Sequence, residues 1–139
     1  MVFNIITLFP QLFEPHLNNL PFSRALEQEK LTVNLINLRE YALDSYGTVD
    51  GKPYGGGIGM ILRVEPIFYA LEDIYGKDFT ASEHNIVALS PSGKRFRQDK
   101  AVSFVEEDEI TLICGRYEGM DARIKDHLAT EVISIGDYV

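Results

Sequence analysis

The chain has 139 residues, 45% of them apolar, and a formal net charge of −8. That length is one domain with room for a hydrophobic core, and the apolar share excludes a disordered chain. The acidic balance excludes a nucleic-acid binder that works by net charge alone, so any RNA contact needs a local basic patch, a partner subunit or residues outside this chain.

No apolar run reaches the ~20 residues that cross a bilayer. Residues 1–8 are too short, and lack the basic start, for a secretion signal. A single cysteine, Cys114, precludes an internal disulfide and fits a reducing cytoplasm. It lies in an apolar run and reads as a buried, inert thiol.

Residues 2–8 (VFNIITL) are apolar and β-branched and predict a first strand, ended by Phe9-Pro10. Pro15 interrupts residues 11–19, which read as one helical turn or a loop. Phe22, Ala25, Leu26 and Glu29 have helical spacing, and residues 31–38 alternate as a second strand. Residues 39–59 form a long, Gly-rich connection without apolar periodicity, a kind of loop that is usually functional or disordered. No Gly-Lys-Ser/Thr follows its glycines, and no strand leads directly into them, so a phosphate-binding P-loop and a dinucleotide fingerprint both fail.

Val64, Ile67, Phe68, Leu71, Ile74 and Tyr75 fall on one face of the best helix in the chain. Residues 85–90 predict a buried strand ended by Pro91-Ser92-Gly93. The only dense basic cluster follows, Lys94, Arg95, Arg97 and Lys100, readable as a solvated loop or as a phosphate contact. Residues 98–105 read as helical and residues 106–109 as a solvated charged turn. His16, His84 and His127 share no metal-ligand spacing with one another or with Cys114, so no zinc site is expected.

Residues 110–121 (ITLICGRYEGMD) are the centre of the chain. An apolar β-rich run breaks at Gly115, turns through Arg116, Tyr117 and Glu118, and breaks again at Gly119. Asp121 then stands where its carboxylate can accept from the first turn of a helix over residues 121–129. The same pattern serves an ordinary β–α connection or a ligand site at the carboxyl end of a sheet. Residues 131–135 predict the last strand, followed by the Gly-led turn 136–139. Strands alternating with helices predict an α/β fold, a mostly parallel sheet with helices on both faces. The apolar turn at Tyr138-Val139 leads us to expect further chain after it.

Three segments taken together carry a family resemblance: Thr48-Val-Asp-Gly-Lys-Pro-Tyr-Gly-Gly-Gly-Ile-Gly-Met60, Cys114-Gly-Arg-Tyr-Glu-Gly-Met-Asp121 and Ser134-Ile-Gly-Asp-Tyr-Val139. With Leu89-Ser90-Pro91 and Thr7-Leu8-Phe9-Pro10, they resemble the bacterial tRNA (guanine-N1)-methyltransferases, the TrmD family, over the whole chain. The resemblance implies a SPOUT-type α/β fold with a C-terminal trefoil knot, which the truncation would leave incomplete. It implies S-adenosyl-L-methionine as cofactor, N1 of guanosine-37 in tRNA as the methyl acceptor, and a homodimer with active sites at the subunit interface.

Carried over by motif, the cofactor-binding residues are Leu89, Ser90, Pro91, Gly115, Tyr117, Glu118, Gly119, Ile135, Gly136, Asp137, Tyr138 and Val139. Glu118 or Asp137 would favour the cationic sulfonium, with turn hydrogen bonding the other role open to Asp137. Asp50, Gly59 and Arg116 are the substrate-binding candidates. Gly51 departs from the family, which commonly carries a second Asp after Asp50, and this puts a paired-carboxylate role there in doubt. The family's general base, an Asp in a linker, and its C-terminal tRNA-gripping domain are expected beyond Val139. The chain alone is therefore expected to be inactive; a silent cofactor-binding or dimerisation module is the alternative.

Overall fold

A computed structural model describes residues 1–53 and 55–138. The main strands are β1 (Val2–Thr7), β2 (Thr32–Asn37), β5 (Ile86–Arg95), β6 (Glu109–Cys114) and β7 (Glu131–Ser134), and a minor pair is formed by β3 (Asp50–Gly51) and β4 (Ile61–Leu62). The main sheet has the order β2-β1-β6-β5-β7, and every pairing in it is parallel. All five of its strands therefore end on one edge.

Side chains alternate across the sheet, as period-2 patterning requires. After two short helices, α1 (Glu14–Leu17) and α2 (Phe22–Glu27), the chain forms α3 (Val64–Tyr75), whose Ile67, Ala70 and Leu71 are fully buried and close one core faced by Ile6, Ile86, Ala88 and Ile113. Phe3, Val87, Ile110, Leu112 and Ile133 face the other, where Phe104 of α4 (Gln98–Phe104) packs. Helices thus cover both faces, as the alternation predicted. Pro66 is tolerated in α3 because it sits in the first turn, where the missing N–H has no partner to lose.

One row of polar groups runs from the surface at Asn34 into the interior. Asn34 Nδ2 donates to Asn4 Oδ1 at 2.8 Å, Asn4 Nδ2 donates to Glu109 Oε1 at 2.7 Å, and the Tyr75 and Thr111 hydroxyls meet at 2.6 Å. Asn4 and Thr111 are buried, so these bonds offset their desolvation and tie β2, β1, β6 and α3 together.

Several sequence expectations shift in detail. The strand over 85–90 does not end at Pro91-Ser92-Gly93. Ile133 of β7 pairs with Leu89 and again with Lys94, so residues 90–93 leave the ladder and β5 resumes pairing through Arg95. Sequence could not show this, because the returning partner is nearly forty residues away. The 39–59 connection is likewise not featureless. It opens on a 3-10 turn (Leu38–Tyr41) and carries β3, which pairs antiparallel with β4 just beyond it. The expected 121–129 helix spans residues 122–128, and its last five, Ile124–Leu128, are wound as a π-helix, wider than an α-helix. Before it, Asp121 Oδ1 accepts from the Arg123 backbone N–H at 3.0 Å, the capping role its position predicted.

Candidate active site

At the carboxyl edge of the sheet lies a hollow of about 900 Å³. Each main strand contributes to its wall. Phe9 follows β1, Arg39 follows β2, and Leu89, Ser90 and Pro91 come from β5. Residues 115–120 follow β6, and Ile135 and Tyr138 follow β7. A parallel sheet produces this convergence because its strand ends cannot point elsewhere.

The hollow is open at Gly115 because a side chain there would fill it. A β-carbon on Gly115 would stand 2.9 Å from the Leu89 carbonyl oxygen and 3.2 Å from the Met120 methyl. Two strand ends thus approach as closely as their backbones allow, and a ligand can reach main-chain groups of both.

The turn after β6 is held from the side by the Gly-rich segment. The Glu118 N–H donates to the Met60 carbonyl at 3.0 Å, the Leu62 N–H to the Gly119 carbonyl at 2.9 Å, and the Asp121 N–H to the Leu62 carbonyl at 2.9 Å. Gly59, at φ +100°, lies flat against the Glu118 side chain, a conformation and a contact that a β-carbon would oppose. Below the turn, Asp121 accepts from the Arg123 guanidinium at 2.7 Å, and that bond holds its carboxyl below the usual carboxylate range. The turn is therefore fixed on both flanks before any ligand arrives.

Of the residues singled out in the sequence, Leu89, Ser90, Pro91, Gly115, Arg116, Tyr117, Glu118, Gly119, Ile135 and Tyr138 line one hollow. Four others do not. Gly136 is buried beneath the Tyr138 ring, and Asp137 is exposed and paired with Arg95 at 3.6 Å. Asp50 pairs with Leu62 in the small hairpin, set back from the hollow. Gly59 borders the site through Glu118 rather than lining it, and Val139 lies outside the described residues. Glu118 is thus the one carboxylate among the described lining residues.

Phe9, Arg39 and Met120 were not singled out from sequence. The available signal was positional: once the sheet is read as parallel, the residue after every strand belongs to the same edge, including those after β1 and β2. Arg116 Cζ stands 5.3 Å over the Phe9 ring, which joins the β1 and β6 contributions.

A second hollow of about 380 Å³ lies on the α4 side of the sheet. Every side chain lining it is apolar, from Phe3 and Leu112 to Phe104 and Ile135, so it offers nothing to orient a polar ligand. Among the described residues, no three of His, Cys, Asp and Glu cluster to hold a metal ion, and no helix is long and apolar enough to cross a membrane.

Fold and hollow together define an α/β domain with an open site at the carboxyl edge of a parallel sheet. Comparison with known proteins narrows the class. The family model described as tRNA (Guanine-1)-methyltransferase TrmD matches residues 1–139, and the chain belongs to that family. Proteins named tRNA (guanine-N(1)-)-methyltransferase from Staphylococcus aureus strains JH9 and N315 are each 45% identical to it over 139 residues, covering all of this chain and 55% of theirs. The crystal structure of tRNA (m1G37) methyltransferase from Aquifex aeolicus superposes with a TM-score of 0.83 at 32% identity, over 100% of this chain and 61% of that one. The SPOUT-type α/β arrangement expected from the sequence is the one these comparisons support. The chain spans about half the length of the curated relatives it matches.

Proposed function

We propose that this chain is the S-adenosyl-L-methionine-binding domain of a tRNA (guanine-N1)-methyltransferase that modifies guanosine-37. The observation that carries the reading is the meeting of Leu89, Gly115 and the Ile135–Tyr138 turn in one hollow. The residues fit the ligand. Leu89, Ile135 and Met120 offer apolar walls for a flat base, the closely approaching backbones at Leu89 and Gly115 offer polar groups to its edge, and the volume leaves ample room for a nucleoside. Glu118 is the anion that a sulfonium would favour.

When bound, this cofactor supplies an activated methyl group. The chain's own residues orient it and hold the acceptor base beside it. The Met60 and Leu62 backbone bonds fix the 115–120 turn, so Glu118 and Arg116 keep their places without reorganising. Arg116 can present two parallel N–H groups to a guanine edge or a phosphate. Guanine N1 carries a proton near neutral pH, and its methylation needs a base. We assign that base, and the domain that grips tRNA, to residues outside these 139. The base being methylated must also leave its stack to reach the hollow.

The acting form is a homodimer in this reading, with the partner closing the site. Ile135 and Tyr138, 68% and 66% exposed at the rim, are the apolar surface it would cover. Cytoplasmic residence accompanies a tRNA substrate.

Calorimetric titration with S-adenosylmethionine tests the reading, alongside methyl-transfer assays on tRNA transcripts. Cofactor binding without turnover by this chain, and turnover by a protein of its relatives' length, is the expected pair of results. Absence of cofactor binding at millimolar ligand would remove the reading.

A further inference from the structure

The hollow has two chemically different ends. Its β6-β5-β7 end carries the close-packed backbones, Glu118 and the apolar walls. Its β2-β1 end carries Arg39 and Phe9. At the usual strand spacing, β2 and β5 lie about 14 Å apart, too far for one nucleoside to press against both.

Arg39 is not a loose surface side chain. Its backbone N–H bonds the Asn37 side chain at 3.2 Å, and its Nη1 donates to the Gly47 carbonyl at 3.1 Å. That carbonyl is itself set by a turn in which Asp44 Oδ1 accepts from the Tyr46 and Thr48 N–H groups at 3.0 and 2.9 Å. These bonds hold the Asp44 carboxyl below its usual range. A guanidinium has five N–H donors, so the bond to Gly47 leaves a free edge. Arg116 stands over Phe9 on the neighbouring strand end, and Tyr46 beside the same turn is 91% exposed. Oriented arginines set beside aromatic rings, here Arg116 over the partly buried Phe9, are how proteins hold an unstacked nucleotide, by its phosphate and by its base face. On a chain of net charge −8, a placed pair of arginines is also the local exception that RNA requires.

We propose that Arg39, with Phe9 and Arg116, forms an acceptor-side subsite that binds a phosphate of the RNA next to the base being methylated. Arg39 is the phosphate ligand and Asp44 its positioning residue, acting through Gly47. This rests on the reading of the other end as the methyl-donor site.

The test is a titration of the isotopically labelled chain with guanosine 5′-monophosphate and with guanosine, followed by NMR and paired with a separate S-adenosylmethionine titration. The nucleotide should bind about tenfold more tightly than the nucleoside, and Arg39→Ala should erase that preference. Arg39→Lys should restore part of it, since a point charge lacks the fork. Asp44→Ala should weaken it with circular dichroism unchanged. Lys94→Ala, outside the corner, should leave it intact.

Equal binding of nucleotide and nucleoside, no binding of either, or equal losses in Arg39→Ala and Lys94→Ala would overturn the subsite. Cofactor binding that persists alongside such results leaves the donor reading standing. A preserved nucleotide preference without cofactor binding would sink the donor reading and keep the subsite.

Discussion

The carbonyl oxygen of Leu89 lies 2.9 Å from where a β-carbon on Gly115 would stand. Parallel strands β5 and β6 have run side by side up to this point, with Leu89 paired to Cys114. One residue later the chain needs a position without a side chain. Gly115→Ala should therefore push the 115–120 turn away from β5 and weaken cofactor binding at least tenfold. The fold should lose only about 1–3 kcal/mol, the usual cost of an extra methyl in a tight place. Calorimetry and chemical denaturation on the same variant separate the two effects.

Asp121 carries a pH signature. Its hydrogen bond from the Arg123 guanidinium, with help from the Arg123 N–H, lowers its pKa in the folded chain. A carboxyl with a depressed folded pKa binds its proton more readily when unfolded. Its stabilising contribution is full above the unfolded value of about 3.9 and is lost as pH falls through the lower folded value. Urea midpoints measured from roughly pH 5 down to pH 2 should fall more steeply for the wild type than for Asp121→Asn. At neutral pH that variant should be less stable by about 1–3 kcal/mol, since the charge is lost and one of the two oxygens that accept from Arg123 becomes an NH2 group.

The interior polar row predicts a non-additive pair. Thr111→Val leaves the Tyr75 hydroxyl and the Asn4 amide short of a partner and should cost about 1–3 kcal/mol. Adding Tyr75→Phe removes one of the orphaned groups, so the double variant should recover part of the loss. A double-mutant cycle in urea measures the coupling, and strictly additive losses would contradict the shared bond.

Cys114 should resist alkylation while the chain is folded. Burial pushes its thiol up to about 11, so little thiolate exists at pH 8. Iodoacetamide labelling should be roughly a hundredfold slower in buffer than in concentrated urea. Comparable rates would show that the end of β6 opens readily.

Much of this arrangement could be read from residue order. Parallel strands with intervening helices follow from β-branched runs alternating with the 64–75 periodicity. Leu89, Gly115 and Tyr138 were assigned by the family resemblance, and they fall at the strand ends that the residue pattern put on one edge of the sheet. The parts that escaped are those set by distant partners. Arg39 looked like the opening of a polar loop because its role comes from the Gly47 carbonyl and from sharing an edge with β6. The return of Lys94 to Ile133 depends on a strand still unmade when β5 is read. Asp137 was open to two readings as an anion near the sulfonium or a turn residue; its partner, Arg95, is supplied by that same return of β5.

The hollow's wall draws on residues from Phe9 to Tyr138, at the tips of strands formed early and late in the chain. During synthesis on the ribosome, β1 and β2 can pair as soon as they emerge, yet the donor end must wait for β7 and the turn that follows it. A nascent chain lacking that stretch has only part of the hollow's wall, without Ile135 and Tyr138. In the proposed reading, methyl-donor affinity is therefore a late event in the life of each molecule, and a readout of whether the last strand has docked.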